Sequence, residues 1–153
     1  MWPQRINVLT LPTTLVPIIL KGVQCWEDAV LAAECGCAGI VLSNHGGRQL
    51  DTARSGIEVL EEVVSALRER GLFPNPSFEI YVDGGVRRAT DVLKAVAMGA
   101  TAVGVGRPFI YAYSAYGQEG VEAALQILNV RIPSRCLGAE NNPDFCLTRM
   151  NSK

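Results

Sequence analysis

The sequence predicts an α/β fold built on a parallel sheet, and three observations carry that prediction. Short, near-continuous apolar runs recur along the chain. Each is followed by a segment with helical apolar spacing. Glycine and polar residues gather where each apolar run ends. The order βαβαβαβα implies parallel strands joined by right-handed crossovers. In such folds ligands bind at the carboxyl ends of the strands.

The first strand is expected at Val16-Pro17-Ile18-Ile19-Leu20, ending at Lys21-Gly22. The second is Ala38-Gly39-Ile40-Val41-Leu42, ending at Ser43-Asn44-His45-Gly46-Gly47. The third is Phe78-Glu79-Ile80-Tyr81-Val82, ending at Asp83-Gly84-Gly85. The fourth is Ala102-Val103-Gly104-Val105, ending at Gly106-Arg107-Pro108. Runs that do not alternate read as strands buried on both faces.

The first helix is expected over Trp26 to Glu34, with Trp26, Ala29, Val30 and Ala33 inward and Gly36 as its stop. The second carries Ile57, Leu60, Val63, Val64 and Leu67 on one stripe and ends at Gly71. The third takes Thr90 as N-cap, turns Val92, Leu93, Val96 and Ala97 inward, and ends at Gly99. Pro108 opens a short fourth helix, and a longer one carries Val121, Ala124, Leu125 and Leu128. Met1 to Thr14 and Pro133 to Lys153 have no clear period and are expected to be loosely ordered.

The 153 residues suit one domain. Four βα units use about 110 of them, whereas an eight-unit barrel takes roughly 200 to 400. The chain therefore holds half of such a barrel, or forms a small open sheet. A half barrel exposes two sheet edges and an apolar inner face, so a partner is expected: a second copy, or the other half of the barrel.

Composition excludes several functions. With 48% hydrophobic and 19% charged residues, the chain is globular rather than disordered. A formal charge of −1 leaves no basic excess for nucleic acid or a membrane surface. No apolar run is long enough to span a bilayer, and the first ten residues lack a signal-peptide pattern. An intracellular, cytoplasmic protein is the expectation. The five cysteines form no CxxC pair and there is one histidine, so reduced, mostly buried thiols are expected and no metal site.

Four segments carry chemistry. In Leu42 to Asp51 the only histidine, His45, sits just past a strand beside two glycines, with Arg48 three residues on. A neutral imidazole takes a proton near pH 7. A guanidinium holds a carboxylate by a two-pronged fork. The pair suits a reaction at the carbon next to a carboxylate. A lone histidine in a loop is more often incidental, but its placement at a strand end argues otherwise.

In Val82 to Thr90, Gly84 and Gly85 lie between a strand and a helix start, followed by Arg87 and Arg88. Free N–H groups there favour an anion. Gly106 and Arg107 repeat that pattern after the next strand, and barrels often hold a phosphate between their last two βα loops. Tight turns with solvated arginines would look similar. Lys21, one of only three lysines, ends the first strand and points to the same mouth.

Together these segments resemble the C-terminal half of the FMN-dependent 2-hydroxy-acid dehydrogenases and oxidases. That family includes lactate dehydrogenases of the flavocytochrome b2 type, glycolate oxidase and mandelate dehydrogenase. The similarity runs from about Pro17 to Leu128 and is most specific in Ser43 to Asp51, which reads SNHGGRQLD. Phe109 to Gly120, with its tyrosines, is most similar to the fungal cytochrome b2 branch.

The resemblance implies a (β/α)8 barrel of which this chain holds the last four units, as a C-terminal fragment. It implies FMN as cofactor and a small L-2-hydroxy acid, of lactate or glycolate type, as substrate. It makes His45 the active-site base and Arg48 the grip on the substrate carboxylate. Lys21 would contact the flavin and stabilise its reduced anion, with Ser43 nearby. Asp83, Gly84, Gly85, Val86 and Arg87 would hold the ribityl chain and phosphate, completed by Gly106 and Arg107. Ala89 stands where the family commonly has glycine. The family's first four strands, with further flavin contacts, substrate tyrosines and the aspartate that orients the histidine, have no counterpart here. The alternative is an inactive half barrel that keeps part of the phosphate site and associates with a partner chain.

Overall fold

The computed structural model describes residues 16–128. The expectations for 1–14 and 133–153 lie outside the described residues. The elements are β1 (Ile19–Val23), α1 (Trp26–Glu34), β2 (Gly39–Leu42), α2 (Gly56–Glu69), β3 (Glu79–Asp83), α3 (Ala89–Ala97), β4 (Ala102–Gly104) and α4 (Arg107–Leu128). A single 3₁₀ turn, His45–Gly47, follows β2. The sheet has the order β1-β2-β3-β4, and every pair is parallel. This is the four-unit βα architecture that the sequence predicts.

Register sorts the sheet into two faces. Leu20, Ile40 and Ile80 stand in one row, and Val23, Leu42, Val82 and Val103 in the next. Ile40, Leu42, Ile80 and Val82 are buried under the helices. Against them α2 packs Val59, Leu60, Val63, Val64 and Leu67, and α1 packs Ala29, Val30 and Ala32. Each of these larger side chains contributes roughly 1.5–3 kcal/mol by leaving water.

The opposite face carries Ile19, Lys21, Val41, Tyr81, Asp83 and Ala102. Most of it is open: Ile19 is 44% exposed, and β3 alternates between buried and half-buried residues. On that face only Gly39 of β2 is buried, while Val41 and Tyr81 are half-buried, so no strand is covered along both faces among the described residues. The apolar runs mark strands made to be covered twice, but the described residues supply helices on one side only.

Local chemistry sets the ends. Gly36 and Gly71 stop α1 and α2 with φ of +80° and +69°, which a side chain resists. At the start of α2, the Glu58 carboxylate accepts from the Ser55 amide and hydroxyl, each at 2.7 Å. This Ser-x-x-Glu box went unread in the sequence. β1 runs on through Lys21 to Val23, with a register shift between Lys21 and Val23, so Lys21 lies within the strand rather than past it. The third helix starts at Ala89, with Arg88 as N-cap in place of Thr90. In α3, Ala95 is buried and Ala97 is exposed, because α3 covers β4 at the edge of the sheet. α4 breaks at Gly117 (φ 60°, ψ −143°), which gives the expected short helix and its longer successor.

Only Cys37 of the described cysteines is buried; Cys25 and Cys35 are half-buried, and all three are free. Burial pushes the Cys37 thiol up from its ordinary value.

Close approach of β2 to β3 depends on Gly39. A Cβ there would sit 2.5 Å from the Glu79 carbonyl oxygen. Gly39→Ala should lower stability by about 1–3 kcal/mol through this overlap, seen as a lower urea midpoint with unchanged slope.

Candidate functional site

The parallel sheet brings the four strand ends to one rim, where they enclose a cleft of about 790 Å³. Lys21, His45, Arg48, Asp83, Gly84, Gly85, Val86, Arg87, Gly106 and Arg107 all line it. Of the eleven candidate site residues, Ser43 alone stands behind the wall, 2% exposed, and Arg88, also noted in the sequence, does not line the cleft. Gly46, one of the two glycines noted beside His45, lines the cleft as well, as do Ile110 and Tyr111, which were not singled out. The signal for the last two was the aromatic run that opens α4.

Ser43 organises the wall from behind. Its hydroxyl accepts from Lys21 Nζ at 2.7 Å and from the His45 amide at 3.0 Å. Both acceptor positions of a buried hydroxyl are thereby used. Lys21 Nζ also stands 2.5 Å from Asp83 Oδ2, across the inner face from β1 to β3. The other oxygen, Asp83 Oδ1, is buried with no hydrogen-bond partner among the described residues. An orphaned carboxylate oxygen beside a cleft calls for a donor such as a ligand hydroxyl.

The His45 loop is tightly coiled. His45 takes φ +59°, a region that non-glycine residues rarely adopt. Asn44 Oδ1 accepts from the Gly47 amide at 3.1 Å and braces the turn. Arg48 Nη2 lies 3.4 Å from His45 Nε2. A guanidinium only donates, so in this contact Nε2 is the acceptor, which requires the tautomer with its proton on Nδ1. The predicted base and carboxylate grip thus stand side by side.

The glycine segments leave room for a ligand. Gly84 and Gly85 have φ of +88° and +78°, and a Cβ on Gly85 or Gly106 would meet nothing within 4 Å. Arg107 reaches across to Gly46, where its Nη2 donates to the carbonyl at 2.7 Å. Asp91 in the first turn of α3 accepts from the amides of Arg87 and Arg88, each at 3.0 Å. Those backbone bonds hold the Asp91 carboxyl below its ordinary value. A cleft ringed by Lys21, Arg48, Arg87 and Arg107, with an open glycine cradle and an orphaned acceptor, fits an anionic ligand that also carries hydroxyls. FMN has that chemistry. Among the described residues, no helix is long and apolar enough to cross a membrane.

A sequence profile described as FMN-dependent dehydrogenase matches residues 3–135, further at both ends than the motifs alone suggest. "L-lactate dehydrogenase (cytochrome)" of Wickerhamomyces anomalus is 54% identical over 142 residues, covering 89% of this chain and 24% of that protein. The enzyme of the same name from Saccharomyces cerevisiae is 54% identical over 138 residues, 86% of this chain and 23% of that one. "2-Hydroxyacid oxidase 2" of Rattus norvegicus is 46% identical, covering 86% and 37%. The chain thus spans about a quarter of the length of those lactate dehydrogenases.

Among solved structures, the flavin-binding domain of baker's yeast flavocytochrome b2 superposes with a TM-score of 0.74 at 55% identity, covering 84% of this chain and 32% of that one. A mutant flavocytochrome b2 with pyruvate bound covers 100% of this chain and 40% of its own, with a TM-score of 0.79 at 47% identity. The fold is accordingly part of a barrel flavodehydrogenase.

The Asp91 cap predicts a pH dependence. A carboxyl with a lowered folded pKa favours the folded chain above the unfolded value, about 3.9, and that contribution fades as pH falls through the folded value. Asp91→Asn should melt at a lower temperature than wild type at pH 7, and the gap should close as the pH is taken below about 4. Thermal melts of both proteins from pH 3 to 7 check this.

Proposed function

Because the chain belongs to the FMN-dependent dehydrogenase family, we propose that it is the C-terminal part of an enzyme that oxidises a small L-2-hydroxy acid, of lactate or glycolate type, to the 2-oxo acid. The observation that carries this reading is the His45–Arg48 pair, 3.4 Å apart on the rim of a cationic cleft. A proton acceptor beside a fork for carboxylate is what a 2-hydroxy acid requires, since its reacting carbon is bonded to its carboxylate.

Arg48 holds the carboxylate, which sets the hydroxyl-bearing carbon against His45. His45, with Nε2 as acceptor, takes a proton from the substrate. The imidazolium so formed stands beside the Arg48 cation, and the bound carboxylate between them offsets that repulsion. Among the described residues the His45 ring bonds to Arg48 and to no carboxylate. Another part of the barrel must therefore supply the anion that orients the ring.

The cofactor in this reading is FMN, which when bound supplies the acceptor for the two electrons leaving the substrate. Lys21 would balance negative charge on its ring. The Asp83 to Arg87 segment would hold the ribityl chain and phosphate, with Gly106 and Arg107 at the phosphate end. Ser43 fixes Lys21 and the His45 amide relative to each other.

A second reading is a non-catalytic half barrel that keeps part of the phosphate site. It is favoured by the open inner face and by exposed Ile110, Tyr113 and Tyr116 on α4. In both readings the uncovered strands call for a partner, either the N-terminal half of the barrel or a second copy.

Visible spectra during FMN titration, followed by anaerobic L-lactate, separate the readings. Bound flavin that bleaches supports the enzyme, and bound flavin that does not bleach supports the remnant. No binding at micromolar FMN removes a flavin site formed by this chain on its own and assigns the motifs to the longer barrel. In a preparation that bleaches, Arg48→Lys should weaken 2-hydroxy-acid binding about 10- to 100-fold, the equivalent of ~1.5–3 kcal/mol for a charge-assisted fork. Unchanged affinity would remove Arg48 from that role.

A further inference from the structure

We propose that Arg107 is a positioning residue for His45, tying the phosphate end of the cleft to the loop that carries the base. The inference rests on the phosphate reading of that end, and adds a mechanical link between its occupancy and His45. Arg107 opens α4, just after β4, and His45 follows β2. The two loops are separated by β3 in the sheet. One hydrogen bond spans them, from Arg107 Nη2 to the Gly46 carbonyl at 2.7 Å.

That carbonyl belongs to the residue after His45, inside a run of left-handed backbone: His45 at φ 59°, Gly46 at 68° and Gly47 at 71°. Such a conformation persists where surrounding contacts over-determine it. The other braces are local: the His45 amide donates to Ser43 Oγ and the Gly47 amide to Asn44 Oδ1. Arg107 is the contact that comes from across the sheet. Gly46 also leaves it room, since a Cβ there would lie 3.2 Å from Arg107 Nη2.

A guanidinium has five N–H donors in a rigid fork. With Nη2 on Gly46, the remaining donors can meet an anion held at the glycine cradle, so one side chain serves carbonyl and anion together. An anion that draws on Arg107 then moves or tightens the Gly46 carbonyl, and the His45 backbone with it. By linkage, the loop geometry and anion affinity each bias the other. Lysine, a single ammonium on a flexible stem, can serve one partner or the other but lacks the fork that joins them.

His45 is the only histidine, so every histidine signal in the full chain labelled with 13C,15N-histidine reports it. The experiment titrates inorganic phosphate into that chain, with chloride at equal ionic strength as control and 31P line width as the binding readout. Wild-type His45 ring and amide resonances should shift saturably, with the midpoint of phosphate binding. Arg107→Lys should still bind phosphate but lose most of the His45 shift. Arg107→Gln should displace the His45 amide signal before any phosphate is added, with an unchanged circular dichroism spectrum. Phosphate that binds while His45 stays silent, or a full response in Arg107→Lys, overturns the link alone. Phosphate that fails to bind the wild type overturns the phosphate reading and the link with it.

Discussion

Parallel, in-register pairing is the constraint on which the rest of this molecule depends. Because β1 to β4 run in one direction, their carboxyl ends share a rim, and residues far apart in sequence become neighbours there. Lys21 on β1 reaches Asp83 on β3 across the inner face, 62 residues away in sequence. That ion pair is partly exposed, with side chains 49% and 25% accessible, so its contribution to stability is small, about 0–1 kcal/mol. What it does is positional: it holds a cation beside an anion whose second oxygen lacks a partner among the described residues.

The helices serve the same rim. α2 buries a complete stripe against β2 and β3, and its capping box fixes where the loop after β2 must end. Arg54 adds a second tie, donating to both Glu62 oxygens at 2.8 and 2.9 Å and to the Gln24 carbonyl at 2.7 Å. That clamp joins the loop after β2 to the loop after β1. The loop bearing His45 and Arg48 is thus short of freedom at both ends, which suits a site that must hold two groups 3.4 Å apart without a regular element beneath them.

Much of this was legible in the sequence because two kinds of signal coincide. Apolar runs followed by helical stripes fix the order of elements, and glycines with chemical side chains mark the strand ends. Ten of the eleven candidate residues line one cleft for that reason. Less legible were features that depend on partners distant in sequence. The run Val16 to Leu20 gives no hint that pairing with β2 extends β1 through Val23. Thr90 has the better N-cap side chain, yet Asp91 takes the amides of Arg87 and Arg88 and moves the start of α3 back to Ala89. The burial pattern failed for a further reason: an apolar run records what a strand is built to contact, and only one cover is present among the described residues.

That missing cover bears on chemistry as much as on packing. In the proposed reaction, proton abstraction would leave a positive ring next to Arg48, and two adjacent cations in a cleft open to water would be held apart by solvent rather than by structure. Closing the inner face would lower the local dielectric and strengthen every charge contact on the rim, the repulsive one included. A closed barrel therefore needs a fixed anion near His45 that the described residues do not provide, while the open sheet tolerates its absence. In the proposed enzyme, the same closure that would make Lys21, Arg48 and Arg107 effective toward a bound anion would make an orienting anion indispensable. On the proposed reading, both arrive with the part of the barrel that completes the sheet.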